Sequence, residues 1–500
     1  MRLKLASRKS DLARWQAVQV ARAFEALSER PHIEFNFKAS LGDQNLDLPL
    51  ASMGSKGVFT EDFYKDLTEG QCDLVVHSWK DLPVEEREGT QIAMTMERAD
   101  ARDIFLIAQE AWENAVAKGK LTVLTSSPRR VYNLSACLHD LLPHKLEIEF
   151  ANVRGNVPTR LAKMKEQGAA LLLAKAGLDR LLQSEDAGFL DASTAGLRAL
   201  VRECRFMILP LSLNPGAPAQ GALAIEIARE REPVASLCAR LNDEKTFQCV
   251  RDERAILESY GGGCHQKIGV TILLRNYGMV TSVRGLTDAG EVLRRWSVEN
   301  PTEWTTAATP EQIFPLTPAG NSWFEREILD VTVDLKTKSA LFVARNEAFP
   351  VGFRPENRQL VWTAGVSTWR KLAARGIWVN GSSDGLGESE STGLETLIGP
   401  VSWAKLTHDR GHAAAGMDIV STYRLTNRPD TPNLRGKTHF FWMSTTTFER
   451  ARQLFPNEIQ NGYNACGPGS TFEFLRRQQG LNHPVKVFAG LEQFLAETFP

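Results

Sequence analysis

Arg8, Arg129, Arg130, Arg154, Arg160 and Arg180 recur at one kind of place, at or just beyond the end of a short apolar run. The segment TSSPRRVYNLSACLHDLL starts a helix at Ser126 or Ser127, with Pro128 in its first turn. Arg129 and Arg130 then stand where the helix macrodipole disfavours positive charge. A solvated basic turn is the plain reading. The sharper one is an anion site built from two guanidinium forks and free helix N–H groups. Arg154 and Arg160 flank the Gly-Asn turn of NVRGNVPTRLAKM, Arg8 lies in ASRKS, and Arg180 follows ALLLAKAGL. One such arginine means little; the set points to a cleft for a small molecule bearing several carboxylates.

Two further groups could do chemistry opposite such a cleft. Asp81 follows the apolar run of DLVVHSWKDLP, where an acid is ordinarily a cap or a loop residue. Facing arginines, it could serve as a catalytic carboxylate. Cys264 follows Gly261, Gly262 and Gly263. Cysteines are usually small core residues, but three glycines make a poor core and a good exposed tether.

The elements that must position these residues alternate through the first 230 or so positions. RLKLAS, IEFNFKAS, DLVVHS, LTVLTSS, LEIEFANV and ALLLAKA read as strands. Helical or turn-forming stretches follow each; the first is capped by Ser10, with Leu12, Trp15, Val18, Phe24 and Leu27 on its apolar face. Alternation of this kind predicts α/β domains with largely parallel sheets, whose ligands bind at the carboxyl ends of the strands. After about residue 228 the pattern changes to a helix, FQCVRDERAILESY, and three short strands, IGVTILL, GMVTSVRGL and EVLRRWSVE, joined by tight turns. This predicts a small α+β domain. Residues 300–322 are rich in Pro and Thr and read as a linker. Beyond it KSALFVAR, RQLVWTAG, AAGMDIVSTYRL, THFFWMS and VKVFAG are strand candidates, with STTTFERARQLF and GSTFEFLRRQQG as helices.

Bulk properties narrow the function classes. The 500 residues exceed what one core can organise, and 43% apolar with 24% charged residues is an ordinary globular composition. A net charge of -1 gives no global field for nucleic acid or an anionic membrane. No apolar window is long enough for a transmembrane helix, the N-terminus lacks a secretory signal, and the seven cysteines show no metal-ligand spacing. A cytoplasmic monomer without metal, nucleic-acid or membrane partners is the expectation.

Ten segments occur in order at family-like spacing: ASRKSDLARWQ, GSKGVFTEDF, DLVVHSWKDLPV, ERADARDIF, TSSPRR, NVRGNVPTRL, AGLDRL, PAQGALAIE, DERA and YGGGC-HQKIG. Over residues 1 to about 305 the chain resembles hydroxymethylbilane synthase (porphobilinogen deaminase). The resemblance implies two α/β domains like those of periplasmic binding proteins, 1–101 with 208–227 and 102–207, and an α+β domain, 228–305, carrying the cofactor cysteine. A linker, 306–336, and a C-terminal α/β region, 337–500, complete the expected organisation. The implied activity is head-to-tail condensation of four porphobilinogens, with loss of ammonia, into the linear tetrapyrrole of haem, chlorophyll and corrin biosynthesis.

In the family a covalent dipyrromethane primer hangs by a thioether from a cysteine that matches Cys264. The catalytic aspartate matches Asp81, which would stabilise the cation formed as ammonia leaves, and Lys80 matches the lysine beside it. Arg129 and Arg130 match arginines that hold the primer, with Lys56, Ser126 and Ser10 as lesser contacts. Arg8, Gln16, Arg154, Arg160 and Arg180 match substrate-binding positions; each added ring brings an acetate and a propionate whose charges must be balanced. The chain departs from the family at Leu41, Ser52, Leu124, Pro128, Pro158 and Lys267, the last replacing a proline. A carboxylate-binding module without catalysis is the rival reading of the same features.

The C-terminal segments THFFWMSTTTFERARQLF, NACGPGSTFEFLRRQQG and VKVFAGLEQFLAETF resemble the closing part of uroporphyrinogen-III synthase. LVWTAGVSTWRKLAARG resembles a helix start of that family, and STYRLT its strand with a tyrosine, here Tyr423. About 70 residues are missing relative to its two-domain plan, after KSALFVARNEAF. The region is therefore expected to be a divergent, shortened synthase-like domain or a structural or regulatory remnant, separable from a self-sufficient deaminase at about residue 312.

Overall fold

The computed structural model describes residues 1–39, 61–85, 87–184, 194–262, 266–304, 307–318, 322–331, 333–356, 358–412 and 416–499. Cys264, Lys56, Leu41 and Ser52 lie outside the described residues.

The first sheet runs, edge to edge, His32–Lys38, Arg2–Arg8, Leu74–Ser78, Leu223–Ala228 and Thr90–Met94. Its first three strands are parallel, and Leu223–Ala228 is antiparallel to both neighbours. The second sheet runs Glu147–Ala151, Lys120–Leu124, Ala170–Ala174, Asp103–Ala108 and Cys204–Ile208, with Asp103–Ala108 antiparallel to its neighbours. The chain crosses to the second sheet after Met94 and returns after Ile208. The crossing segments touch where Ala99 N donates to Gly221 O, 3.2 Å. Gly221 has φ +91°, and a Cβ there would lie 2.4 Å from the Ala99 carbonyl oxygen, so no side chain fits.

A three-stranded antiparallel meander, Gly269–Arg275, Gly278–Leu286 and Val292–Glu299, follows the helix Glu244–Ser259 as the turn signals predict. Two more sheets complete the chain. One is parallel: Ile313–Phe314, His439–Trp442, Tyr463–Cys466 and Lys486–Val487. The other runs Phe324–Ile328, Met417–Asn427, Trp403–His408, Ala340–Val343, Leu360–Thr363 and Gly381–Ser382.

The linker expected over 306–336 is corrected here. Ile313–Phe314 and Phe324–Ile328 are edge strands of the last two sheets, and Trp323 is only 1% exposed. Proline is tolerated at sheet edges, so a Pro/Thr-rich composition hid the first strand, and the second, FEREI, is charged and largely exposed.

The C-terminal region is also no tethered appendage. Leu341, Val361, Trp369 and Leu406 share one apolar core with Phe105, Leu138, Leu141 and Leu172 of the second-sheet unit. A second shared core joins Phe342, Trp362, Leu394 and Leu397 to Leu171, Leu178, Leu181 and Leu197. The parallel strands Ala340–Val343 and Leu360–Thr363 ordinarily need a covering helix between them. Among the described residues the short 3-10 turn Asn346–Ala348 is the one helical element there, and helix Leu138–Leu141 packs into the same core. The outer strand Cys204–Ile208 is met by the neighbouring sheet: Ile208 N donates to Asn380 O at 2.8 Å, and Asn380 Nδ2 to Phe206 O at 3.1 Å. Covering an edge in this way satisfies backbone groups that would otherwise recruit another chain.

Candidate active site

Ten of the thirteen expected site residues lie together at the carboxyl ends of the first two sheets; Arg129 does not reach the cleft, and Cys264 and Lys56 lie outside the described residues. A cleft of about 320 Å³ is lined by Arg8, Ser10, Gln16, Lys80 and Asp81 from the first-sheet side. Ser126, Arg130, Arg154, Arg160 and Arg180 line it from the second-sheet side. Among the described residues, six cationic side chains thus line the cleft together with Asp81, the one carboxylate.

Local structure explains each placement. Strand Leu74–Ser78 runs into a 3-10 turn, Trp79–Asp81, whose Trp79 is buried against Phe247. Anchoring Trp79 holds Lys80 and the exposed Asp81 at the strand end. Burial pushes the Lys80 ammonium down to about 8, against the pull of Asp81 and Asp103; its Nζ approaches Gln220 Oε1 at 3.5 Å. Ser10 is the N-cap of helix Asp11–Glu25 and makes no side-chain cap bond. Gln16, one turn on, is buried with its amide 3.0 Å from Ser78 Oγ.

Helix Pro128–Ser135 begins at Ser127, whose side chain accepts from Arg130 N. The two arginines in its first turn are neutralised from below by Asp103, which is 0% exposed. Arg130 donates through Nε and Nη2 to both Asp103 oxygens, at 2.9 and 2.7 Å, while Arg129 Nη2 donates to Asp103 Oδ2 at 2.9 Å. Asn214 and Gln220 amides add bonds of 2.8 and 2.9 Å. Burial opposes the charged carboxylate, but the two guanidiniums outweigh it and hold Asp103 far below the usual range.

The two arginines consequently differ. Arg130 reaches the cleft wall, whereas Arg129 turns inward to Asn214 Oδ1 and Pro215 O. Ser126 Oγ donates to Val153 O at 2.5 Å, tying this helix start to the loop of Arg154. Helix Val157–Glu166 is capped by Asn156 and carries Arg160, whose Nε donates to Gly155 O at 2.7 Å. Burial lowers the Arg160 proton affinity, as do the neighbouring Arg130 and Arg154 charges. Arg180 is nearly enclosed and donates to Gly221 O at 2.7 Å; burial brings it down to about 10.

Asp103 and Gln220 were not singled out from the sequence. Both lie inside quoted segments, ERADARDIF and PAQGALAIE, but an acid beginning an apolar strand gives no signal of burial. Among the described residues no cluster of side chains has metal-site composition, and no helix is long and apolar enough to cross a membrane.

Fold and site define an α/β protein with a cation-rich cleft between two sheets and an acid, Asp81, in its wall. Comparison with known proteins is specific. Residues 3–236 match the family described as porphobilinogen deaminase, dipyromethane cofactor binding domain. Porphobilinogen deaminase of Syntrophomonas wolfei is 35% identical over 285 residues, 57% of this chain and 84% of the relative. That of Burkholderia orbicola is 38% identical over 263 residues, 52% and 71% of the two chains, and that of Moorella thermoacetica 36% over 289 residues, 57% and 84%. The chain belongs to the porphobilinogen deaminase family.

Proposed function

We propose that this cleft carries out the family's transferase reaction, condensing four porphobilinogens with release of ammonia into hydroxymethylbilane, with Asp81 as its acid. The observation that carries the reading is one carboxylate among six cations, counted over the described residues, at the meeting of two sheets. The donor set fits a dipyrromethane bearing four carboxylate arms: guanidinium forks for the arms and one acceptor for pyrrole N–H groups. When bound through Cys264, that group supplies the nucleophilic carbon to which each new ring is joined.

The chain's own groups have distinct tasks. Asp81 accepts from the pyrrole N–H of the incoming ring and stabilises the positive charge that develops as ammonia departs. It then takes the proton released when the rings have joined. Lys80, a cation below about pH 8, stands beside Asp81 as its adjacent counter-charge. Arg130, Ser126 and Ser10 hold the primer; Arg8, Gln16, Arg154, Arg160 and Arg180 hold the arms of added rings. Arg129 acts through Asp103, orienting Arg130 from below. The 1–101 with 208–227, 102–207 and 228–305 division supplies the two walls and the cysteine-bearing loop.

For the C-terminal region we propose a structural role, supported by its two shared cores and by Tyr423, which is 1% exposed and packed against His408. Supplying porphobilinogen and oxidising the products to uroporphyrins tests both readings. Tetrapyrrole should form, as isomer I. No tetrapyrrole would refute the deaminase site, and predominant isomer III would refute the structural role.

A further inference from the structure

A chain that grows by four rings must go somewhere. The cleft of about 320 Å³ is at the lower end of pockets that bury one drug-sized ligand, about 300–1,000 Å³. It cannot enclose six substituted pyrroles. Widening it by swinging the first two sheets apart would strain contacts on both crossing segments. Arg102 Nη2 donates to the Ser391 and Thr392 carbonyls at 3.1 and 3.0 Å. Ser212 N donates to Asp384 Oδ2 at 2.8 Å, and its hydroxyl bonds the other Asp384 oxygen. Glu390, on the same loop, pairs with Arg275 of the meander at 2.6 and 2.7 Å. One C-terminal loop thus staples both crossings and the meander together.

Next to the cleft, with Ser126 in the wall of both, lies a cavity of about 610 Å³ between helix Pro128–Ser135 and the meander. Lys267, Arg284 and Arg294 line it, and among the described residues no carboxylate side chain does. None of these three cations forms an ion pair with a described residue. Lys267 stands three positions after Cys264, where the family pattern has a proline. Asn133, 1% exposed, also lines the cavity. Its Nδ2 donates to Arg284 O, 3.4 Å, while its Oδ1 is buried without a hydrogen-bond partner. Uncompensated cations ask for carboxylates, and an orphaned carbonyl oxygen asks for an N–H donor. A substituted pyrrole chain carries both.

We propose that this cavity is an extension subsite: Lys267, Arg284 and Arg294 take carboxylate arms of the growing pyrrole chain, and Asn133 Oδ1 accepts from a ring N–H. The inference rests on the deaminase reading of the cleft. It makes elongation a passage along the Ser126 wall, with the crossings held in place.

The test is intact-mass analysis of wild-type protein, of Arg294→Gln, and of Arg284→Gln/Arg294→Gln after a pulse of porphobilinogen. One- and two-unit adducts should form in all three. Conversion to three- and four-unit adducts should slow roughly tenfold in the double variant, about the loss of one or two charge-assisted contacts. Arg294 is exposed, so the single variant removes a contact without disturbing the core and should shift the distribution the same way. In wild-type protein, acetylation of Lys267 should be suppressed in three- and four-unit adducts relative to primer-only protein. Unchanged adduct distributions, or equal Lys267 reactivity at every stage, would overturn the subsite while leaving the deaminase reading intact. Wild-type protein that forms no adducts would overturn both.

Discussion

Replacing Asp103 by Asn tests the electrostatic foundation of the site. The carboxylate is 0% exposed and receives Arg129, Arg130, Asn214 and Gln220. Asn keeps the shape but removes the charge, and it turns an NH2 toward groups that are already donors. Two buried guanidiniums then lack a counter-charge, and breaking a buried pair from one side costs about 3–5 kcal/mol. Some of that is recovered as water reaches Arg130 on the cleft wall, so about 3 kcal/mol is the expected loss. For a cooperative unit of about 200 residues this is roughly a 6–10 °C fall in Tm. The measurement is a thermal melt by near-UV circular dichroism, with intact mass reporting how much protein carries the primer. Primer loading should fall as well, because Arg130 loses the carboxylate that orients its fork. A Tm within about 2 °C of wild type together with full loading would refute the reasoning.

Asp81→Asn should lower kcat by about 10²–10⁴-fold without moving the melt, since Asp81 is exposed and its charge acts on the reacting ring; steady-state kinetics beside a melt checks both. Because Lys80 is a cation below about pH 8 and neutral above, kcat/KM should be full below that pH and fall as pH rises through it. Lys80→Arg should move this alkaline limb out of the measurable range. Trp369→Ala should destabilise by about 3–5 kcal/mol, read by thermal melt, because it empties a fully buried indole site and frees the Leu141 carbonyl. A fragment of residues 1–312 should aggregate when expressed, because it exposes two cores that the C-terminal region completes; a soluble, active fragment would contradict the shared-core account.

The six parallel strands of the first two sheets and the three of the meander were legible because each joins a short apolar run to polar turn residues; Thr90–Met94, Asp103–Ala108, Cys204–Ile208 and Leu223–Ala228, which pair antiparallel, were not. RLKLAS, DLVVHS and ALLLAKA fall within about two residues of the observed elements. The arginine set was legible too, since charge at strand ends is a local pattern. What the sequence hid is non-local. Asp103 reads as an ordinary surface acid until two arginines 26 and 27 positions later close over it. An apolar run such as ALFV signals burial but not the surface that covers it, so the sharing of cores with Leu138 and Leu141 left no trace. Strand Trp403–His408 was missed because Lys405 and Thr407, both buried, break its apolar pattern. Arg129 and Arg130 look alike in the sequence; only the crossing segment at Asn214 and Pro215 distinguishes them.

The central claim, a deaminase whose cleft is primed through Cys264, is tested most directly by the intact mass of the purified full-length protein. Expressed with ample porphobilinogen, the wild type should exceed its sequence mass by two substituted pyrrole units, and Cys264→Ser should match its bare chain. Wild-type protein at the bare sequence mass, or the same added mass in both proteins, would contradict the account.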